Sequence, residues 1–256
     1  MSGPDRALEV ALEAARAAGA LALRYFAGGV EVTLKADQTP VTQADREAEQ
    51  AIAERLRAVF PDVGFLGEEF GSQGRQERRW IIDPIDGTNN FVRGIPYWAV
   101  LIALEEAGEI TLGVVHAPAT GDLFWARRGA GAFANGTRLR VSAIDTLAEA
   151  TLVHSSLRYV RDRYWPGFLR LVDATSRQRG FGDYFGYTFV LRGQAELMVE
   201  ADMKPWDLAP FKVLFEEAGG RFTDFHGRPT VYSDNVVASN GRVHDAALAL
   251  LQGRSA

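Results

Sequence analysis

Cysteine is absent from the 256 residues of the chain. That excludes disulfides, thiolate zinc sites and a cysteine nucleophile, and it fits a reducing compartment. There is no basic tract, and the formal net charge is −5, which argues against affinity for a nucleic-acid backbone. The first segment, "MSGPDRALEVALEAARAAGALALRYF", carries Asp5, Glu9 and Glu13; it has neither the pattern of a signal peptide nor that of a membrane span. The expected setting is the cytoplasm, with no membrane partner. Histidine is scarce. His116, His154, His226 and His244 are scattered without ligand spacing and read as structural or surface residues. No Gly-x-Ser-x-Gly nucleophile elbow occurs, and the glycine-rich "RRGAGAFANGT" lacks the Gly-Lys-Ser/Thr of a phosphate loop and reads as a hairpin turn. What remains is an ordinary globular composition, 47% hydrophobic and 24% charged, long enough to bury a core without cross-links.

Period and punctuation organise the rest. Leu8, Leu12 and Ala15 at helical spacing predict a helix over roughly 5–27, stopped at Gly28-Gly29. A β-like "VEVTLK" follows. The stretch "TPVTQADREAEQAIAERLRAVFPD" predicts a second helix, with Thr42 as N-cap, Asp45 three residues on and Pro61 at its end. After "GFLGEEF" and the strand "RWIID", runs from Pro96 onward alternate with turns at Ala107-Gly108, Thr120-Gly121 and Asn135-Gly136, an antiparallel meander. The second half mixes strands ("TLVHSS", "AELMVEAD") with helices near 160–175 and 184–192. An amphipathic helix from Asp207 to Ala218, closed by Gly219-Gly220, precedes "RFTDF", "NVVASN" and a final helix. Helices and mostly antiparallel strands in mixed order predict an α+β layered sandwich. A boundary near 140–150 would separate residues 1–145 from 146–256, two halves that pack as one unit.

One stretch does not look like core: "WIIDPIDGTNN" ends a strand in two aspartates. The residue before a proline is pushed to extended geometry, so the strand is expected to end at Asp83. Asp86-Gly87-Thr88 then offers a cap and free amides of the kind that receive phosphate. Two carboxylates that converge in a cleft need a cation between them, and oxygen ligands without Cys or His favour Mg²⁺. The same Pro-Asp-Gly vocabulary also builds ordinary loops, so these residues alone leave both readings open. Taken singly, Glu68 and Glu69 read as surface, and Asp45 and Asp207 as helix caps.

Together, "GEE", "WIIDPIDGTNNF" and "KPWDLAP…EEAGG" resemble the inositol monophosphatase family of Mg²⁺-dependent phosphomonoesterases, along nearly the whole chain. The resemblance implies an αβαβα sandwich of the inositol monophosphatase/fructose-bisphosphatase type, with the active site between its halves. It implies that Glu68 and Asp83 hold one metal with the Ile85 carbonyl. Asp83 would bridge to a second metal completed by Asp86 and Asp207, and a third, weaker ion would sit beside Glu68. Thr88 would position the attacking water, oriented by Asp45, with Lys35 nearby, while the amides of Gly87 and Thr88 hold phosphate oxygens. Glu69 is not an expected ligand. Substitution by Mn²⁺, inhibition by Li⁺ and a homodimer are also implied.

The segment "RGFGDYFGYTFVLRGQAELMVEADMKPWD" looks like the histidinol-phosphate phosphatase branch of that family. An ammonium and an imidazole want acidic or aromatic neighbours, and Asp183, Tyr184 and Glu200 are the candidates. Asp183 could instead pair with Arg179, and Tyr184 could be core. Inositol phosphate and a broader range of sugar phosphates are the alternatives within the family; an RNA-related binding role is the alternative of another class. The joint presence of Glu68, Asp83, Asp86, Asp207 and Thr88 argues against a vestigial site.

Overall fold

In the computed structural model, which describes residues 3–28, 32–34 and 40–254, the chain begins with α1 (Gly3–Gly28), β1 (Val32–Leu34), β2 (Pro40–Thr42) and α2 (Gln43–Val59). There follow β3 (Gly64–Gly67), β4 (Gly71–Gln73), β5 (Arg78–Asp86), α3 (Thr88–Val92) and the meander β6 (Ala99–Glu106), β7 (Glu109–Ala117), β8 (Asp122–Arg127), β9 (Gly131–Ala134) and β10 (Thr137–Arg138). Beyond it lie β11 (Thr151–His154), α4 (Leu157–Arg161), α5 (Trp165–Ala174), β12 (Arg177–Gly180), α6 (Asp183–Leu191) and β13 (Leu197–Ala201). The chain closes with α7 (Pro205–Ala218), β14 (Arg221–Thr223), β15 (Asn235–Ser239) and α8 (His244–Leu251).

The meander forms most of an eight-stranded sheet in the order β10-β9-β8-β7-β6-β5-β3-β4. Its two-residue hairpins need a left-handed backbone at both central positions, supplied by Ala107-Gly108 (φ 52° and 82°) and Asn135-Gly136 (φ 48° and 81°). The second sheet runs β12-β11-β13-β15-β14. Here the expected antiparallel bias is corrected: β11 pairs parallel with both β12 and β13, because α4–α5 and α6 act as crossovers.

Five layers result. An alanine-rich face of α1 (Ala7, Ala11, Ala14, Ala18) packs with α2 on one side of the first sheet. The pair α6 and α7 fills the space between the sheets, and α5 and α8 cover the outer face of the second. This is the α+β, αβαβα sandwich. Helix α7 is not amphipathic as expected; Leu208 to Phe215 are all buried, since both of its flanks face sheets. Gly113 lets it lie close against β7, as a Cβ there would sit 2.5 Å from the Pro210 carbonyl oxygen. The helix expected near 160–175 is two helices, α4 and α5, with Pro166 at the second position of α5. Among the described residues no helix is long and apolar enough to cross a membrane.

His244 bears out its structural reading. It is fully buried between the Thr223 hydroxyl (2.9 Å from Nε2) and the Ser239 hydroxyl (2.8 Å from Nδ1). Burial pulls its pKa down to about 4. A folded pKa below the unfolded value gives stability that is present above pH ~6.5 and lost as pH falls towards the folded pKa. His244→Gln is therefore expected to remove roughly 3 kcal/mol of pH-dependent stability, seen as a Tm that varies less between pH ~6.5 and ~4 than in the wild type.

Candidate metal centre and active site

The two aspartates meet because β5 carries one residue too many. In a regular strand, residues three apart point to opposite faces. Asp83 is opposite Leu101 and Asp86 is opposite Ala99, so three steps on β5 match two on β6. The extra residue is a β-bulge holding Pro84, which has no N–H to give the ladder. The strand thus continues to Asp86 rather than ending at Asp83, a correction to the expected boundary. The bulge turns both side chains to the face of Ile81, Ala99 and Leu101, where α7 lies. The Ile85 amide donates to Asp83 Oδ1 at 2.9 Å and orients that carboxylate.

Asp207 arrives from α7. The N-cap is Lys204 and the helix starts at Pro205, so Asp207 is its third residue rather than the expected N-cap; from there its Oδ2 accepts the Lys204 amide at 2.8 Å. Carboxylate oxygens of Asp83, Asp86 and Asp207 lie within 4.8 Å of one another. Glu68, the first residue after β3, lines the same cleft, and its charge acts on Asp83; Glu69 is not on the cleft wall. The Thr88 hydroxyl donates to the Ile85 carbonyl at 2.9 Å and lies 3.4 Å from Asp45 Oδ1. Asp45 Oδ2 accepts the Thr42 amide and hydroxyl at 2.8 and 2.6 Å. Gly87 opens α3 at φ 84°, and a Cβ there would lie 3.0 Å from the Tyr97 carbonyl oxygen. Lys35 lies outside the described residues.

A cleft of about 520 Å³ joins this cluster to the opposite wall. Asp183 and Glu200 are on that wall. Asp183 is not paired with Arg179; it accepts from Asn90 Nδ2 at 2.9 Å. Glu200 is buried, with Oε2 taking the Tyr187 hydroxyl at 2.8 Å. The expected contact of the Tyr184 ring with substrate is corrected: the ring is fully buried in the core between the sheets. What Tyr184 gives the site is its amide, 2.5 Å from Asp86 Oδ2. Sequence reasoning missed Tyr159, Asp202, Lys204 and Trp206, which complete the cleft, and the supporting Asn90 and Tyr187. Lys204 and Trp206 flank the Pro of "KPWD" and were within reach. Nothing local marks Asn90.

The electrostatics say what the cluster wants. Asp83 is pushed well above its ordinary pKa by burial and then by the charges of Glu68, Asp86 and Asp207. Asp86 is raised likewise, by burial and then by Asp183 and Asp207. Burial also lifts Asp207 to about 7, Glu200 to about 8, and Asp183 and Asp45 to about 6. Converging, mutually repelling oxygens with no Cys or His among them are the donor set of a hard divalent cation, and the cluster fits Mg²⁺.

Fold and site place the chain among the metal-dependent phosphoric monoester hydrolases. Residues 4–255 match the model of the inositol monophosphatase family, and the chain belongs to that family. It is 43% identical to the histidinol-phosphatase of Streptomyces coelicolor over 241 residues, 90% of this chain and 91% of the relative. It is 42% identical to the histidinol-phosphatase of Mycobacterium tuberculosis over 258 residues, 98% and 99% of the two chains. The solved structure of the extragenic suppressor protein SuhB from Bartonella henselae superposes with a TM-score of 0.89 at 34% identity, covering 96% of this chain and 98% of that one.

Proposed function

We propose that the enzyme hydrolyses histidinol phosphate to histidinol and phosphate. The observation that carries this reading is the charge left in the cleft. With Glu68, Asp83, Asp86 and Asp207 assigned to cations, the far wall keeps Asp183, Glu200 and Asp202 beside the rings of Tyr159 and Trp206, against a single basic residue among the described ones, Lys204. That wall suits an alcohol bearing an ammonium and an imidazole. A neutral polyol would bring no positive charge to these carboxylates, and a second phosphate would meet repulsion. The similarity to two histidinol-phosphatases supports the same choice.

Glu68, Asp83, the Ile85 carbonyl, Asp86 and Asp207 would hold two Mg²⁺ ions, with a third, weaker site beside Glu68. Bound there, Mg²⁺ supplies the positive charge that makes water a better nucleophile and stabilises the departing oxygen. The chain's own groups do the rest. The Thr88 hydroxyl fixes the water, and Asp45 Oδ1, 3.4 Å from that hydroxyl, receives the water's proton. A pKa raised to about 6 by burial suits a general base near neutrality. The amides of Gly87 and Thr88 donate to phosphate oxygens. As the water oxygen bonds to phosphorus, the ester P–O bond breaks, and the histidinol oxygen takes a proton from solvent.

A panel of monoesters with Mg²⁺ tests the substrate. Histidinol phosphate is expected to exceed myo-inositol 1-phosphate by at least ~10-fold in kcat/KM, about 1.4 kcal/mol. Asp202→Asn should remove roughly that advantage and leave inositol phosphate unchanged. Equal or reversed rates in the wild type would end the assignment, and no turnover of any monoester would favour a binding role instead.

A further inference from the structure

Behind the turn that carries Glu68 lies a carboxylate with no part in the reaction just described. Glu49 follows Asp45 by one turn of α2, is 2% exposed, and accepts the amides of Glu69 at 2.8 Å and Phe70 at 3.1 Å. The amide of Glu68 itself goes to the Ile82 carbonyl at 3.2 Å. Three successive amides are thus fixed, two of them by one side chain. The sequence makes room for it: a Cβ at Gly67 would lie 1.8 Å from Glu49 Oε1. Among the described residues no Lys, Arg or His forms an ion pair with Glu49; Arg57, across the adjoining cavity, donates to Gln73. A buried carboxylate without a counter-cation is costly, and here its hydrogen bonds all go to the turn that ends in the metal site.

We propose that Glu49 is a positioning residue for the cation: it clamps the Gly67–Phe70 turn so that the Glu68 carboxylate meets Asp83 around the metal. The proposal rests on the reading of Glu68 as a metal ligand. Residues that orient metal ligands from behind typically control affinity by 10–100-fold.

The test is calorimetric titration of Mg²⁺ into wild type, Glu68→Gln and Glu49→Gln, each with its Tm and its Mg²⁺ activation curve. For Glu49→Gln the expected result is a Mg²⁺ Kd and activation midpoint raised ~10-fold or more. The kcat at saturating Mg²⁺ should stay within about twofold. A lower Tm with wild-type Mg²⁺ affinity, while Glu68→Gln binds weakly, would make Glu49 a purely structural residue and overturn the proposal. Unchanged affinity in Glu68→Gln would instead overturn the ligand reading beneath it. Should Glu49→Gln not fold, Gly67→Ala decides. Its methyl displaces the carboxylate and should weaken Mg²⁺ binding in the same way, and wild-type affinity there refutes the clamp.

Discussion

Asp86→Asn is expected to lower kcat by a factor of ~10³ or more while the protein stays folded, a loss of about 4 kcal/mol in transition-state stabilisation. The local backbone has no reason to move. Asn keeps an oxygen for the Tyr184 amide that Asp86 Oδ2 now accepts at 2.5 Å, and its volume is nearly the same. What it loses is the charge. Asp86 shares its cluster with Asp83 and Asp207, and without it a cation held between them would have one anionic ligand fewer. The same substitution relieves repulsion: burial and the charges of Asp183 and Asp207 oppose ionisation of Asp86. In chelator, the variant should therefore melt at or above the wild-type Tm at pH ~8, even though it is inactive. Activity and metal-free stability moving in opposite directions is the signature of a ligand, since a structural residue would lose both. Undiminished turnover would show that Asp86 holds no metal.

The parts of this molecule that were legible in its sequence are those fixed by neighbours along the chain. Asn135-Gly136 demands its hairpin, and Asp45 three residues after Thr42 caps α2. The parallel strands of the second sheet were not legible in this way. β12 is the polar edge segment "RQRG", mostly exposed, and no alternation marks it. Nor could the all-round burial of α7 be read from its sequence, because it depends on two sheets contributed by distant residues. The site divides along the same line. The motif around Asp83 and Asp86 singled out two residues that the fold brings together with Asp207, but their convergence depends on the count of residues on β6 opposite them, which β5 alone does not contain. The motif at Asp183-Tyr184 could not say which way the ring points; the chain places Asp183 at φ 54° and sends Tyr184 into the core. Glu49 looks like any helical glutamate, and only the missing side chain at Gly67, eighteen positions on, hints at what it faces.

Chelation is expected to abolish turnover, and the affinity for Mg²⁺ is expected to rise with pH, because the cation replaces protons. Burial first, and then neighbouring carboxylates, push Asp83 and Asp86 well up and Asp207 to about 7. These folded pKa values lie above the ~4 of an unfolded aspartate. Such groups give the metal-free protein stability that is present in acid and lost as pH rises through the folded pKa. The metal-free Tm should accordingly decline between pH ~5 and ~8 on account of this cluster. His244 acts in the opposite sense, but only at the acid end of that window. Mg²⁺ competes with the protons, so its stabilisation should be small at pH ~5 and full at pH ~8. At ~100 times the Kd it is worth about 2.7 kcal/mol, which for a chain of this length is a rise in Tm of roughly 5–10 °C. Titration calorimetry in two buffers of different ionisation enthalpy should show protons released on binding near pH ~6.5 and fewer near pH ~8.5. A Mg²⁺-induced rise in Tm that is the same at pH ~5 and pH ~8 would mean that the cation binds somewhere other than among these buried acids.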